Sequence, residues 1–222
     1  MLPAIVQSLP IAVGVLLASA PVIAITLILV TRGDAKAVLS FLSGWVCGFL
    51  VVGGLAILMV DLVSLESGTT PGWVNGLRIL LGVLLLFLAW RQWQGRPRNG
   101  MAPAPPRWME RIDSLTPLRA AGLGFMLVAV NPKNMLLVLS GAVTIATATL
   151  VPLAQLGALL VFTAVGSLGV SAPLLASVLL GERANAPLLR FKAWMMHNNA
   201  IIMATVLLVL GAAVIANGVA KT

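Results

Sequence analysis

Six stretches of this chain, roughly residues 9–31, 37–60, 73–90, 119–147, 153–180 and 195–218, are each long and apolar enough to cross a lipid bilayer, which takes about 20 apolar residues per helix. This feature removes most folds at once. Inside a bilayer every backbone N–H and C=O must be satisfied within the protein, and successive apolar spans of this length do so as helices. The expected class is an all-α integral membrane protein with six transmembrane helices. Only 9% of the 222 residues are charged, against about 25% in a soluble domain, and no polar stretch could bury a core of its own. The first span lacks a basic flank and is long enough to cross, so it reads as a retained helix and not as a cleaved leader.

The net charge of +8 needs no nucleic-acid partner once the cations are placed. Arg32 and Lys36 follow the first span. Arg91, Arg96, Arg98, Arg107, Arg111 and Arg119 lie in or beside the segment joining the third and fourth. Arg183, Arg190 and Lys192 follow the fifth. These are alternate loops, so the positive-inside rule assigns them to the cytoplasm and both termini to the outside, with an added pull toward anionic lipid headgroups. The other side holds Lys221, with Asp61 and Glu66 in its longest loop. Trp73, Trp90, Trp93, Trp108 and Trp194 sit near span ends and read as interface anchors.

Three spans precede the basic linker and three follow it. Because three is odd, the second half must run through the membrane in the opposite sense, which predicts two inverted three-helix repeats. The expected organisation is residues 1–90 as the first repeat, 91–118 as a cytoplasmic linker with a short interfacial helix around Trp108–Leu115, and 119–222 as the second repeat. The first span of each half carries a central proline, Pro21 and Pro132, so the first and fourth helices should be kinked or broken. Gly44 and Gly48, four apart in "GWVCG", predict close helix packing, a theme that Gly53, Gly54, Gly166, Gly169 and Ser171 extend. Cys47, the sole cysteine, excludes an intramolecular disulfide and reads as a small packing residue.

The chemistry concentrates in "VNPKNM", residues 130–135. Asn is a favoured N-cap and Pro is tolerated at the first helical position, so one half-helix should end near Val130 and another begin at Asn131. Such a break must face protein or a water-filled cavity, into which the new half-helix points its positive dipole end. Lys133 adds a full charge, which costs about 2.5–3.5 kcal/mol in a bilayer on insertion scales and marks a functional site by default. Asn131, Pro132, Lys133 and Asn134 are thus candidate substrate-binding residues, joined by Pro21 and its polar neighbour Ser19 in the opposing first span. Arg78, five residues past Trp73, should snorkel to the outer interface and is kept as a candidate on the pathway. His197, Asn198 and Asn199 are expected at the cytoplasmic interface. No carboxylate is available at the midplane to carry protons or cations, and the clusters that would hold a metal are missing. No nucleophile–base pair can be assembled either, so neither an enzyme nor a cofactor is expected. A pathway whose central charge is positive suits a carboxylate, phosphate or sulfate.

Six spans, a proline-kinked first span followed by "TRGDAKAVLSFLSGWVCG", a basic linker and "NPKN" opening the second half resemble the lysine-exporter superfamily. Within it the chain is similar to the GAP, or Sap, branch of glycolipid- and sulfolipid-addressing proteins of mycobacteria and relatives. The resemblance implies a multi-pass protein of a bacterial plasma membrane that takes part in moving lipids, working among membrane lipids with a partner lipid exporter and leaving room for a homo-oligomer. It maps the superfamily's Asn-Pro-Lys onto Asn131, Pro132 and Lys133, and its first-span proline onto Pro21. Ala20 stands where some relatives carry an acidic residue or Ser.

The function expected is export of an anionic amphiphile, a lipid or glycolipid. Two alternatives stand beside it: an exporter of small amino acids or similar metabolites, and a non-transporting scaffold for a larger lipid exporter. A groove open sideways to lipid would favour the amphiphile; a closed polar chamber would favour the small solute.

Overall fold

The computed structural model describes residues 1–32, 34–67, 72–96 and 115–220. Eight α-helices account for nearly all of them: α1 (Leu2–Leu16), α2 (Ser19–Arg32), α3 (Ala35–Ser67), α4 (Gly72–Gln94), α5 (Pro117–Ala129), α6 (Pro132–Ala148), α7 (Pro152–Leu180) and α8 (Asn185–Val219), with a 3-10 turn at Gly181–Ala184. Four helices (α3, α4, α7, α8) are long and apolar enough to cross a membrane singly. The pairs α1+α2 and α5+α6 qualify jointly, bent by 52° and 66° at their breaks, which gives four candidate spans among the described residues, or up to six if each bent pair is one span.

Proline sets where helices begin. Pro117, Pro132 and Pro152 each occupy the first turn of α5, α6 and α7, where the missing N–H has no intrahelical role to lose. Thr116 caps α5, its side chain accepting from the Arg119 N–H. At the other end of α7, Gly181 at φ 56° supplies the left-handed residue that stops the helix.

Several expectations change here. The first span breaks at Leu17–Ala18, not at Pro21, because a proline within the first turn of α2 leaves its missing bond outside that helix. Asp61 lies inside α3, which continues to Ser67; buried Ile57, Val60 and Ser64 keep the helical spacing of the packed face going past the expected end. Leu115 precedes α5 outside any helix, and the rest of the expected interfacial helix falls outside the described residues. Trp73, Trp90 and Trp93 are exposed near the ends of α4, and Trp194 is exposed nine residues into α8; Trp108 is outside the described residues.

Packing is organised around close backbone approaches. A Cβ on Gly44 would lie 1.9 Å from the carbonyl oxygen of Ala121, and one on Gly124 would lie 2.2 Å from that of Phe41, so α3 and α5 meet backbone to backbone. Gly169 does the same for α7 against α1, 2.1 Å from the Leu16 oxygen. Gly82 and Gly211 face each other across α4 and α8, while Gly218 faces Asn75; the opposite numbering sense makes this pair antiparallel. Lipid tails are as apolar as Leu, so close packing of small residues supplies much of the association that burial supplies in water. Gly54 has open space around it and takes no part. In the centre, Trp45 and Phe49 (5.3 Å between ring centroids) continue into Phe162 (5.8 Å); Gly166 leaves room for Phe49 and Gly141 for Phe162.

The pattern of contacts has a regularity. If α1–α4 are exchanged with α5–α8, the neighbours α3·α5 become α7·α1, α3·α6 become α7·α2, and α4·α6 become α8·α2; each of these pairs is in contact. The exchange is incomplete: α1 packs extensively on α6 whereas α2 barely touches α5, and the contacts of α1 with α8 and of α5 with α6 have no comparable counterparts in α5 with α4 and α1 with α2.

Candidate functional site

The α5/α6 break is built from its own short sequence. Val130 and Asn131 both donate their N–H to the Met126 oxygen, at 2.9 and 3.3 Å. In a continuous helix the Asn131 N–H would have gone to Leu127. The Leu127 oxygen instead accepts from the Asn134 side chain at 2.7 Å, which reaches back over the break. Asn131 caps the new helix by accepting from the Lys133 N–H at 3.2 Å, and its own carbonyl starts α6 by accepting from Met135 at 2.9 Å. An unsatisfied backbone group in hydrocarbon costs several kcal/mol, so the two asparagines are what make the break tolerable. Asn134 is 1% exposed, and its Oδ1 is buried without a hydrogen-bond partner. Pro132 is exposed and Lys133 half-buried.

The α1/α2 break has a different construction. The Ser19 hydroxyl, buried at the start of α2, donates a hydrogen bond to Asn199 Oδ1 on α8. Pro21 is buried two residues on. Asn199 is therefore not an interfacial residue as expected; it serves the first-span break from the far end of the chain. Asn198 does stay local, donating to the Trp194 oxygen at 2.9 Å, and His197 is exposed. The signal for Asn199 in the sequence was no more than an amide near a span end.

Arg78 does not snorkel. It is 3% exposed, and its Nε and Nη1 are buried without hydrogen-bond partners. The reason is rotation of α4: the face carrying Arg78 lies against α8, with Gly218 packed near the Arg78 Cβ. The side chain lines a cavity of about 60 Å³ together with Gln7, Pro10 and Ile11 of α1, Thr144 of α6, and Leu210, Ala213, Val214 and Asn217 of α8. It is not in the same place as Lys133, which starts α6 eleven residues before Thr144, about 16 Å at helical rise. The hydroxyls of Ser140, Thr163 and Ser167 are also buried without partners, the last two four residues apart on one face of α7. Asp61 is tied down, accepting from Gln155 Nε2 at 2.8 Å.

Three larger hollows are found among the described residues; one, of about 360 Å³ between α4 and α8, includes Thr205 in its lining, and the other two are apolar. Of these two, one, of about 470 Å³, runs between α3, α4 and α6; its described lining residues are all apolar, among them Ala56, Met59, Trp73, Leu77 and Val143. The other, of about 380 Å³, lies between the α1/α2 break, α7 and α8, and is lined by Leu17, Val22, Leu168, Ala172, Phe191, Trp194 and neighbours, again all apolar. The exchange of α1–α4 with α5–α8 that relates the helix contacts relates these grooves too. The first sits toward the Gly72 end of the bundle, the second toward the Asn185 end, and a tryptophan stands at each.

Among the described residues no group of His, Cys, Asp and Glu is placed to hold a metal ion. A family model described as Sap, sulfolipid-1-addressing protein, matches residues 9–220. No curated protein and no solved structure matches.

Proposed function

The chain belongs to the Sap, sulfolipid-1-addressing protein, family, and from that premise we propose that it exports an anionic amphiphile, a lipid or glycolipid such as a sulfolipid, across a bacterial plasma membrane. The observation that carries this reading is the pair of wholly apolar grooves. Such walls suit acyl chains and offer a small polar solute nothing to bind. The small cavity at Arg78, about 60 Å³, is far below the ~300–1,000 Å³ of pockets that enclose small molecules, which weighs against the metabolite alternative.

In this proposal the basic loops face the cytoplasm and both termini lie outside. The two halves are inverted repeats of the lysine-exporter type, a reading supported by contacts and grooves that survive exchange of the halves. The tail lies along a groove while the head group engages Lys133, which sits at the N-terminal end of α6, where the helix dipole adds to its charge. Repeats of this kind move substrates by rocking one element against another around a site near the midplane. The chain contributes binding and movement and no catalytic step.

The test is export of a sulfated glycolipid from proteoliposomes. Lys133→Ala and Lys133→Glu should lower export in that order of severity, and Ala56→Trp or Ala172→Trp should lower it by filling a groove. Unchanged export by well-folded protein in all four variants would overturn the proposal, and loss on deletion of residues 97–114 alone would point to a scaffold instead.

A further inference from the structure

We propose that the Arg78 cavity is an oxyanion site at the Gly72 end of the bundle, separate from Lys133 and placed to hold the charged group after it has passed the break. This rests on the transport reading and adds a second station to it. Two observations lead here, set against what a buried guanidinium requires. A guanidinium keeps its charge in any protein environment, and a charge buried alone in a bilayer is expensive. Arg78 is nevertheless buried, with Nε and Nη1 unpartnered. A purely structural arginine in such a position has its donors satisfied. No carboxylate is among the described residues lining the cavity.

The surroundings fit an oxyanion. Gln7 and Asn217, exposed at the rim, each carry an amide with two donors. Thr144 spends its hydroxyl hydrogen on the Ser140 oxygen at 2.7 Å, so the donors come from the arginine and the two amides. A guanidinium fork matches a pair of oxygens on a sulfate, phosphate or carboxylate. The volume of about 60 Å³ is roughly that of two waters at ~30 Å³ each, enough for such a group and too small for the molecule that bears it. The tail would stay outside. Leu77 and Val143, the chain neighbours of Arg78 and Thr144, line the larger apolar groove, so the site and the groove flank one seam between α4 and α6.

Equilibrium binding would be measured on the purified full-length chain in phosphatidylcholine nanodiscs, with radiolabelled inorganic sulfate in one arm and a radiolabelled sulfated glycolipid in the other. Saturable binding should weaken by about 30-fold or more in Arg78→Gln, less in Arg78→Lys, and measurably in Asn217→Leu and Gln7→Leu, which keep the charge in place. Arg190→Gln removes an exposed cation at the far end of α8 and should change nothing. Competition between lipid and sulfate would assign the site to a lipid head group; sulfate binding without competition would assign it to an anion from solution. Equal binding by wild type, Arg78→Gln and Asn217→Leu would overturn the site. Arg78-dependent binding without export would remove the transport reading and leave the site standing. Export that persists in Arg78→Gln, with no Arg78-dependent binding, would do the reverse.

Discussion

The two broken helices do the same thing by different means. At α5/α6, bent by 66°, every compensating bond comes from residues 126–135. At α1/α2, bent by 52°, the side-chain bond comes from Asn199, 180 positions away, and the α1 end is braced by the backbone approach at Gly169. The first break would keep its shape if α8 shifted. The second is held by other helices and should respond when they move. In a protein proposed to rock one half against the other, the difference separates a fixed bend from an adjustable one.

That contrast can be broken most forcefully through the braces. Gly169→Val should force α7 off α1 and Gly124→Val should force α5 off α3, each costing about 1–3 kcal/mol or more by overpacking against backbone. Thermal unfolding in detergent would show the loss, and an unchanged Tm for Gly169→Val would mean that the α1/α2 break needs no brace. Next, Asn134→Leu strands the Leu127 carbonyl and should cost about 1–3 kcal/mol, visible in the same assay and unaffected by Asn199→Leu. A double-mutant cycle on Ser19→Ala and Asn199→Ala should give a smaller coupling, about 0.6 kcal/mol and at most ~1.7, as found for hydrogen bonds between membrane helices. The least effect is expected for Pro132→Ala. With Asn131 and Asn134 still in place the bend should persist, and stability should fall by about 0.4–1 kcal/mol through the freer unfolded chain; spin-label distances across residues 125 and 138 would detect any straightening.

The same contrast explains what could be read from the sequence. Asn131 and Pro132 announce a helix start because capping is a property of four or five consecutive residues, and the spans follow from apolar run length. The Asn134 bond is nearly as local, though the sequence suggested a ligand-facing amide and the structure shows one bonded to backbone through Nδ2. Asn199 and Arg78 were misplaced for a shared reason. Whether a side chain faces lipid, the interface or a neighbour depends on helix rotation, and rotation is set by packing between helices distant in the chain. Asp61 was put in a loop because a charge ended the apolar run, although Gln155 satisfies it within the helix. The grooves belong to no single helix, so no stretch of sequence could display them.

The seam between Gly82 and Gly211 carries a consequence for descent. Core positions usually drift by exchange, one residue growing as its neighbour shrinks, so that total volume is kept. Here a Cβ on either glycine would come within about 3 Å of the other's carbonyl oxygen, at 2.9 and 3.0 Å, and the partner is already the smallest residue there is. Shrinking Ile215 or Leu86, the nearest side chains, would relieve only part of the contact, because the facing carbonyl oxygen remains. Along this line a single substitution has no fully compensated route, and the pair should stay glycine together or change only with the helices re-spaced.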